Sequence, residues 1–560
     1  MSVFAIAGRK LLLGAALCIT IVSCSRKDPT PGEKTADGHL APRLKNIGHL
    51  HAQVTTKSQD AQAYFDQGLT LVYAFHHAEA LRSFKEAARL DPDCAMAYWG
   101  QALALAPNIN DPAIGPDREE QGSAAIAEAV KRESPVTPRE KSLIDALAAR
   151  FSGAKDRDRQ ALNNAYAAAM AKANASFPDD SDVATLYADA VMNTMPWNYW
   201  SKNGKPNPGI PESRAALEKT IVRDVNHPGA NHLYIHLMEA SDEVDLSVPS
   251  ADRLGGLVPA AGHLVHMPAH TYIRVGRYED AAAVNEKAIA ADEDYITQCK
   301  AQGIYPAAYY PHNIHFLNAA LYMEGRSKDA LESARKLSTK HDHAALSIPG
   351  FAFVHVMKTV PVMTMVRFGM WEELLKEPEP SADQVYGRAI RHFGRGFAFS
   401  ATGKPKEAKQ ELASLELLAA DKTLADLKVN EANPLSKLAE IAVAMLEGDI
   451  AQKGKAFGPS AAAFTKAAQI DDALIYSEPP DWALPARPYL GDVLLEAGRA
   501  SDAEKVYRED LKRHRGNGWS LYGLEHSLRK QGKTADAGKA RAEFEKAWKQ
   551  ADVKLARSRF

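Results

Sequence analysis

Residues 61–94 read AQAYFDQGLTLVYAFHHAEALRSFKEAARLDPDC. Two helices joined by a tight turn account for the spacing. Tyr64, Gly68 and Leu71 fall on one helical face, and Ala80, Phe84 and Ala87 repeat that interval. Gly68 lets the second helix approach the first, Ala80 fits the close crossing, and Phe84 fills the space between them. Pro92 lacks the N–H that another helical turn needs and stops the second helix. Tyr98, Ala102 and Leu105 then restart the first-helix pattern, each 34 residues after its counterpart.

The unit recurs along the chain. Turns of the form Gly-x-x-x-(Asp/Glu)-Ala stand at 276–281, 325–330, 403–408, 498–503 and 532–537, and weaker units start near Val183, Pro228, His355 and Leu438. Sustained period-two alternation is missing, so almost no sheet is expected. Tyr64, Gly68, Leu71, Ala80, Phe84, Ala87 and Pro92 occupy the positions that define the tetratricopeptide repeat, which the chain resembles. The resemblance implies an all-α, right-handed helical-repeat solenoid whose first helices line a concave groove, a surface that commonly takes a protein or peptide partner. The expected divisions are N-terminal repeats over 51–225, histidine-rich repeats over 226–345 and C-terminal repeats over 346–560. Segments 107–116, 195–211 and 477–488 are rich in Pro, Asn or Trp and long for repeat turns; long ordered loops are often functional.

The N-terminus reads as an address. Arg9 and Lys10 precede an apolar run from Leu11 to Val22, too short for a stable membrane span, which needs about 20 residues. The run ends in Ile21-Val22-Ser23-Cys24, which resembles a bacterial lipobox. The expectation is a signal peptide over 1–23, a lipid on Cys24 and a polar tether over 24–50, placing the protein in a bacterial cell envelope, facing the periplasm or on the outer membrane. Lys and Arg (68) balance Asp and Glu (70) and form no basic block, which argues against nucleic acid as a partner. Beyond Cys18 and Cys24 only Cys94 and Cys299 remain; their pairing cannot be deduced from spacing, and two free buried thiols are an equal reading.

Eight of the 19 histidines fall between His227 and His315. Within the repeat frame, groove-facing positions 2, 5 and 9 are taken by His263, His266 and His270, and positions 2 and 5 of the next unit by His312 and His315, with Tyr322 at position 12. Counting from Pro228 as position 1 puts His232, His236 and Glu239 at positions 5, 9 and 12. Imidazoles on adjacent helices, whose axes lie about 8–10 Å apart, can share an ion. Zinc takes three or four N/O/S ligands, and copper accepts imidazole as readily while tolerating thioether, which brings in Met267 and Met238. Glu239 is a candidate ligand, an orienter of an imidazole, or a base for a metal-bound water. Three functions follow: a metal-binding protein, a metal-free interaction scaffold whose histidines grip a peptide, or a metal-dependent enzyme. Pro268 at position 7 predicts a kink in the helix, or its start, the second of which leaves His263 and His266 on a loop. His76 and His77 sit at a turn, where capping and packing are expected.

The segments FHHAEALRSF (75–84), HLVHMPAHTYIRVGRYEDA (263–281) and YYPHNIHFL (309–317) resemble a group of bacterial tetratricopeptide proteins. That resemblance implies that the three segments form one site. It implies no activity and no catalytic residue.

Overall fold

The computed structural model describes residue 35 and residues 38–151, 158–299, 304–348 and 350–560. Cys24, the apolar run before it and the first part of the tether lie outside the described residues. Helical hairpins dominate, beginning with Gln59–Tyr73 and His77–Leu90 and ending with Gly518–Lys530 and Thr534–Ala547. Two strands of two residues each, Lys428–Val429 and Asn433–Pro434, form the one sheet among the described residues. The fold is an all-α helical-repeat solenoid. No described helix is long and apolar enough to cross a membrane.

The repeat logic holds at the level of single residues. Each predicted turn glycine adopts a left-handed conformation: Gly276 (φ 80°), Gly325 (72°), Gly403 (75°), Gly498 (77°) and Gly532 (73°). A side chain would strain the backbone there, so glycine ends the first helix and turns the chain. The weaker units also form, as helices Ser181–Met192, Pro228–Met238, Phe353–Phe368 and Leu435–Lys453. Cys94 and Cys299 are both buried free thiols.

Pro268 does not push the histidines onto a loop. A helix over Gly262–His266 passes through Met267, itself in right-handed helical geometry, into a second helix over Pro268–Val275. The Met267 N–H still reaches the His263 carbonyl at 3.0 Å, so the chain kinks without unwinding. Pro361 is carried inside the intact helix Phe353–Phe368.

The expected open groove is closed over the histidine repeats. The C-terminal repeats return onto the central ones: Trp519 Nε1–H donates to the Tyr322 carbonyl (3.0 Å), Arg515 pairs with Asp245, and the Asp552 carboxylate accepts from the Ser327 and Lys328 N–H groups. One apolar cluster spans the winding, joining Ala74, Ile235, Leu264, Met267, Phe316, Tyr322 and Trp519. Met267 and Tyr322 are therefore core rather than groove residues. Met267 is fully buried, and the Tyr322 hydroxyl hydrogen-bonds Thr364 Oγ1 at 2.7 Å. The turning that brings the C-terminal repeats back covers the wall on which both were expected.

Candidate metal centre

Helix Pro228–Met238 begins with proline at its first position and His227 as its cap, whose Nδ1 accepts from the Ala230 N–H at 3.1 Å. Gly229 lets this helix lie against the first repeat, since a Cβ there would sit 2.5 Å from the Tyr73 ring. The contact puts the Tyr73 carbonyl at 2.6 Å from His232 Nδ1. The kinked helix pair 262–275 presents His263, His266 and His270 alongside, and helix Tyr310–Glu324 brings His312.

Three sets of candidate ligands result, the donor atoms within each lying no more than 4.8 Å apart: His232, His236 and His263; His266, His270 and His312; and Glu239, His270 and Glu478. Across the first set, His232 Nε2 and His263 Nε2 are 3.1 Å apart; in the second, His266 Nε2 and His270 Nε2 are 2.9 Å apart. His312 is half-buried, and its ring centroid lies 5.0 Å from that of His266. Two imidazoles on one tetrahedral zinc, at ~2.0–2.1 Å each, would hold their nitrogens about 3.3–3.4 Å apart. The observed pairs stand close to that bite.

The opposite ring nitrogens are engaged by the protein. His232 Nδ1–H donates to the Tyr73 carbonyl. Asn285 gives an N–H to the Ala281 carbonyl (2.7 Å), which leaves its oxygen to accept from His266 Nδ1–H at 2.7 Å. His236 Nδ1 lies 2.9 Å from Glu239 Oε1, and the other Glu239 oxygen pairs with His270 Nδ1. These partners leave Nε2 of His232, His236 and His266 with lone pairs facing the cluster, the arrangement found around metal-binding histidines. His236 Nε2 and His263 Nδ1 are buried with no hydrogen-bond partner.

Burial, and then the neighbouring rings, push His232, His263, His266 and His312 well below the usual imidazole range, so they are neutral and need release no proton to bind a cation. His270 is the exception. Burial opposes its charge, yet Glu239 and Glu478 raise it to about 9. Glu239 is likewise held down at about 2 in spite of burial, chiefly by His270 and by the hydrogen bond from His236.

Of the residues expected at the site, His232, His236, Glu239, His263, His266, His270 and His312 converge. His315 does not: it is buried but stands outside all three sets, although the three-residue step from His312 keeps it on the same side of the helix. The rings of His232, His236, His263, His266 and His270 are all at most 3% exposed, so they form an enclosed cluster and not a peptide-gripping surface.

Three contributors were not read as site residues. Glu478, 3.5 Å from His270 Nδ1, comes from the irregular segment 477–488, and Trp197 from segment 195–211 sets its ring edge-on to His236 at 5.2 Å. Both loops stand out in the sequence by length and by their Pro, Asn or Trp content, and Trp197 reads there as part of an aromatic cluster for which packing is the expected role. Phe75 is the third. It takes the turn position that other repeats give to glycine, with φ of 58°, and its ring lies 4.6 Å from His232, 5.3 Å from His263 and 6.0 Å from His236. A non-glycine residue there costs about 1–3 kcal/mol. Its contacts join 75–84 to the site, while Tyr309 packs on His263 at 4.9 Å, so the three motif segments do meet. His76 packs against Tyr295 and Tyr305, as expected of a turn histidine.

No protein-family model matches the chain, and no curated protein matches it. Among solved structures, the chain is similar to a human IFIT1 dimer with m7Gppp-AAAA (12% identity, 89% of this chain and 92% of that one, TM-score 0.30). It is also similar to the P58(IPK) TPR domain (12% identity, 85% and 99%, TM-score 0.21) and to Naa15/Naa10 bound to HypK-THB (10% identity, 88% and 90%, TM-score 0.24). Likeness at this level says nothing about what the histidine cluster does.

Proposed function

We propose that this chain is an exported helical-repeat protein, lipid-anchored at Cys24, that binds zinc or copper between its buried histidines. The observation that carries the metal reading is the division of labour within the rings. In His232, His236 and His266 one nitrogen is committed to a protein acceptor while the other faces neighbouring imidazoles. A metal-free polar core is the competing account. It leaves His236 Nε2 and His263 Nδ1 unpaired, and each such buried group costs about 1–3 kcal/mol. An ion on His236 Nε2 would remove one of those costs.

Glu239 is a positioning residue in this reading, since both its oxygens are taken by histidines. A protein partner would meet the rim of the site, where Trp197 and Tyr476 are exposed. The test is retention of metal by protein purified without a histidine tag, loaded with zinc or cupric ion and then dialysed against a weak chelator. At least one equivalent should remain, and His266→Ala should bind less tightly while keeping its helix content. Wild-type protein that keeps no metal would return the cluster to a structural role.

A further inference from the structure

We infer that the cluster is a two-ion centre, one ion held by His232, His236 and His263 and the other by His266, His270 and His312, with Glu239 tying the two halves together. This rests on the metal-binding reading above and goes beyond it. Nitrogens bound to one ion at about 2.1 Å lie at most about 4.2 Å apart. The six rings do not form a single set even at the looser spacing of 4.8 Å; they divide into two sets of three. One ion therefore cannot use all six, and a single three-histidine site would leave three buried imidazoles without an ion.

The two sets are contiguous. His236 and His270 have ring centroids 5.6 Å apart, and His263 and His266 6.0 Å apart. Ligand sets that abut in this way can hold two ions as neighbours, the arrangement of two-metal sites. Glu239 reaches one ring of each set, His236 through Oε1 and His270 through Oε2. Its single carboxylate thus fixes the orientation of both halves at once. Two divalent cations in a buried space also need negative charge nearby. Glu239 supplies one carboxylate, and Glu478, whose Oε2 lies 3.5 Å from the same His270 Nδ1, supplies a second. Each set has its own protein-held nitrogen, His232 on the Tyr73 carbonyl and His266 on Asn285, as two independent ligand sets would require.

The experiment counts ions. Untagged full-length protein is titrated with zinc, and separately with cupric ion, and bound metal is measured against protein. Two equivalents are expected. The cupric spectrum should integrate to less spin than the copper present, because adjacent ions couple. His232→Ala and His312→Ala, one from each set, should each lose at least one equivalent, with circular dichroism confirming that the helices remain. One equivalent in the wild type would overturn the two-ion centre and leave the metal-binding reading standing; none would remove that reading itself. Two coppers with full spin intensity would show separated sites and also overturn the proposal. So would a folded variant of either set that retains both ions. The wild-type count and spin decide the matter even if a variant fails to fold.

Discussion

Asn285→Ala should weaken metal binding without touching a ligand. Asn285 is fully buried and its oxygen accepts the His266 Nδ1–H at 2.7 Å. That bond keeps the proton on Nδ1 and the lone pair on Nε2, which faces His270 Nε2 at 2.9 Å. Removing the acceptor frees the ring to turn or to move its proton, and leaves a buried N–H unpaired at a cost of about 1–3 kcal/mol. Loss of such an orienting partner typically weakens metal affinity about 10–100-fold. Asn285→Asp is the matching control. It keeps an acceptor at the same place and strengthens it with charge, so affinity should hold or rise. The assay is competition for zinc against a chromophoric chelator, with thermal unfolding of the metal-free proteins run alongside to separate stability from affinity. If Asn285→Ala binds zinc as tightly as the wild type, the tautomer argument fails, and with it the main reason for reading these rings as ligands.

Three further outcomes are expected. Gly68→Val should lower the urea midpoint, because a Cβ there would lie 2.7 Å from the Phe84 ring and overpacking of this kind costs about 1–3 kcal/mol; an unchanged midpoint would contradict the helix-crossing account. Asp292 is pushed up to about 7 by burial, although Tyr305 and Asn313 donate to it. Its folded form therefore holds a proton that the unfolded chain releases near pH 4, so its contribution to stability is full below about pH 4 and is lost as pH rises to about 7, a change on the order of 4 kcal/mol. Asp292→Asn should flatten that part of the stability–pH curve, and equal slopes in the two proteins would refute the assignment. Cys24→Ala should shift the protein from membranes to a soluble or unprocessed form; wild-type protein found wholly in the soluble fraction would end the lipid-anchor proposal.

The fold was legible because it rests on local signals. A 34-residue period, turn glycines and the Gly68–Ala80–Phe84 crossing act within one hairpin, so spacing alone predicts them. Most of the candidate site was legible for the same reason: His263, His266 and His270 share a helical face by sequence interval, and Pro268 kinks that face without dispersing it. What escaped depends on how hairpins far apart in sequence meet. Glu478 reaches His270 from a loop more than 200 residues onward, and the return of the C-terminal repeats buried Met267 and Tyr322. The period along an array does not state its winding, so whether the wall was open or covered could not be read from it. His315 shows the complementary limit. Its register position matched that of its neighbours, yet it belongs to none of the ligand sets, so register alone does not decide which rings converge.

The most direct test is an anomalous difference map, collected at the zinc or copper edge, from crystals of the untagged protein loaded with that ion. The account predicts density between the histidines, within about 2.0–2.2 Å of imidazole nitrogens from His266 and its neighbours, and a second peak among His232, His236 and His263. A map with metal only at surface residues, and none among these buried rings, would contradict it.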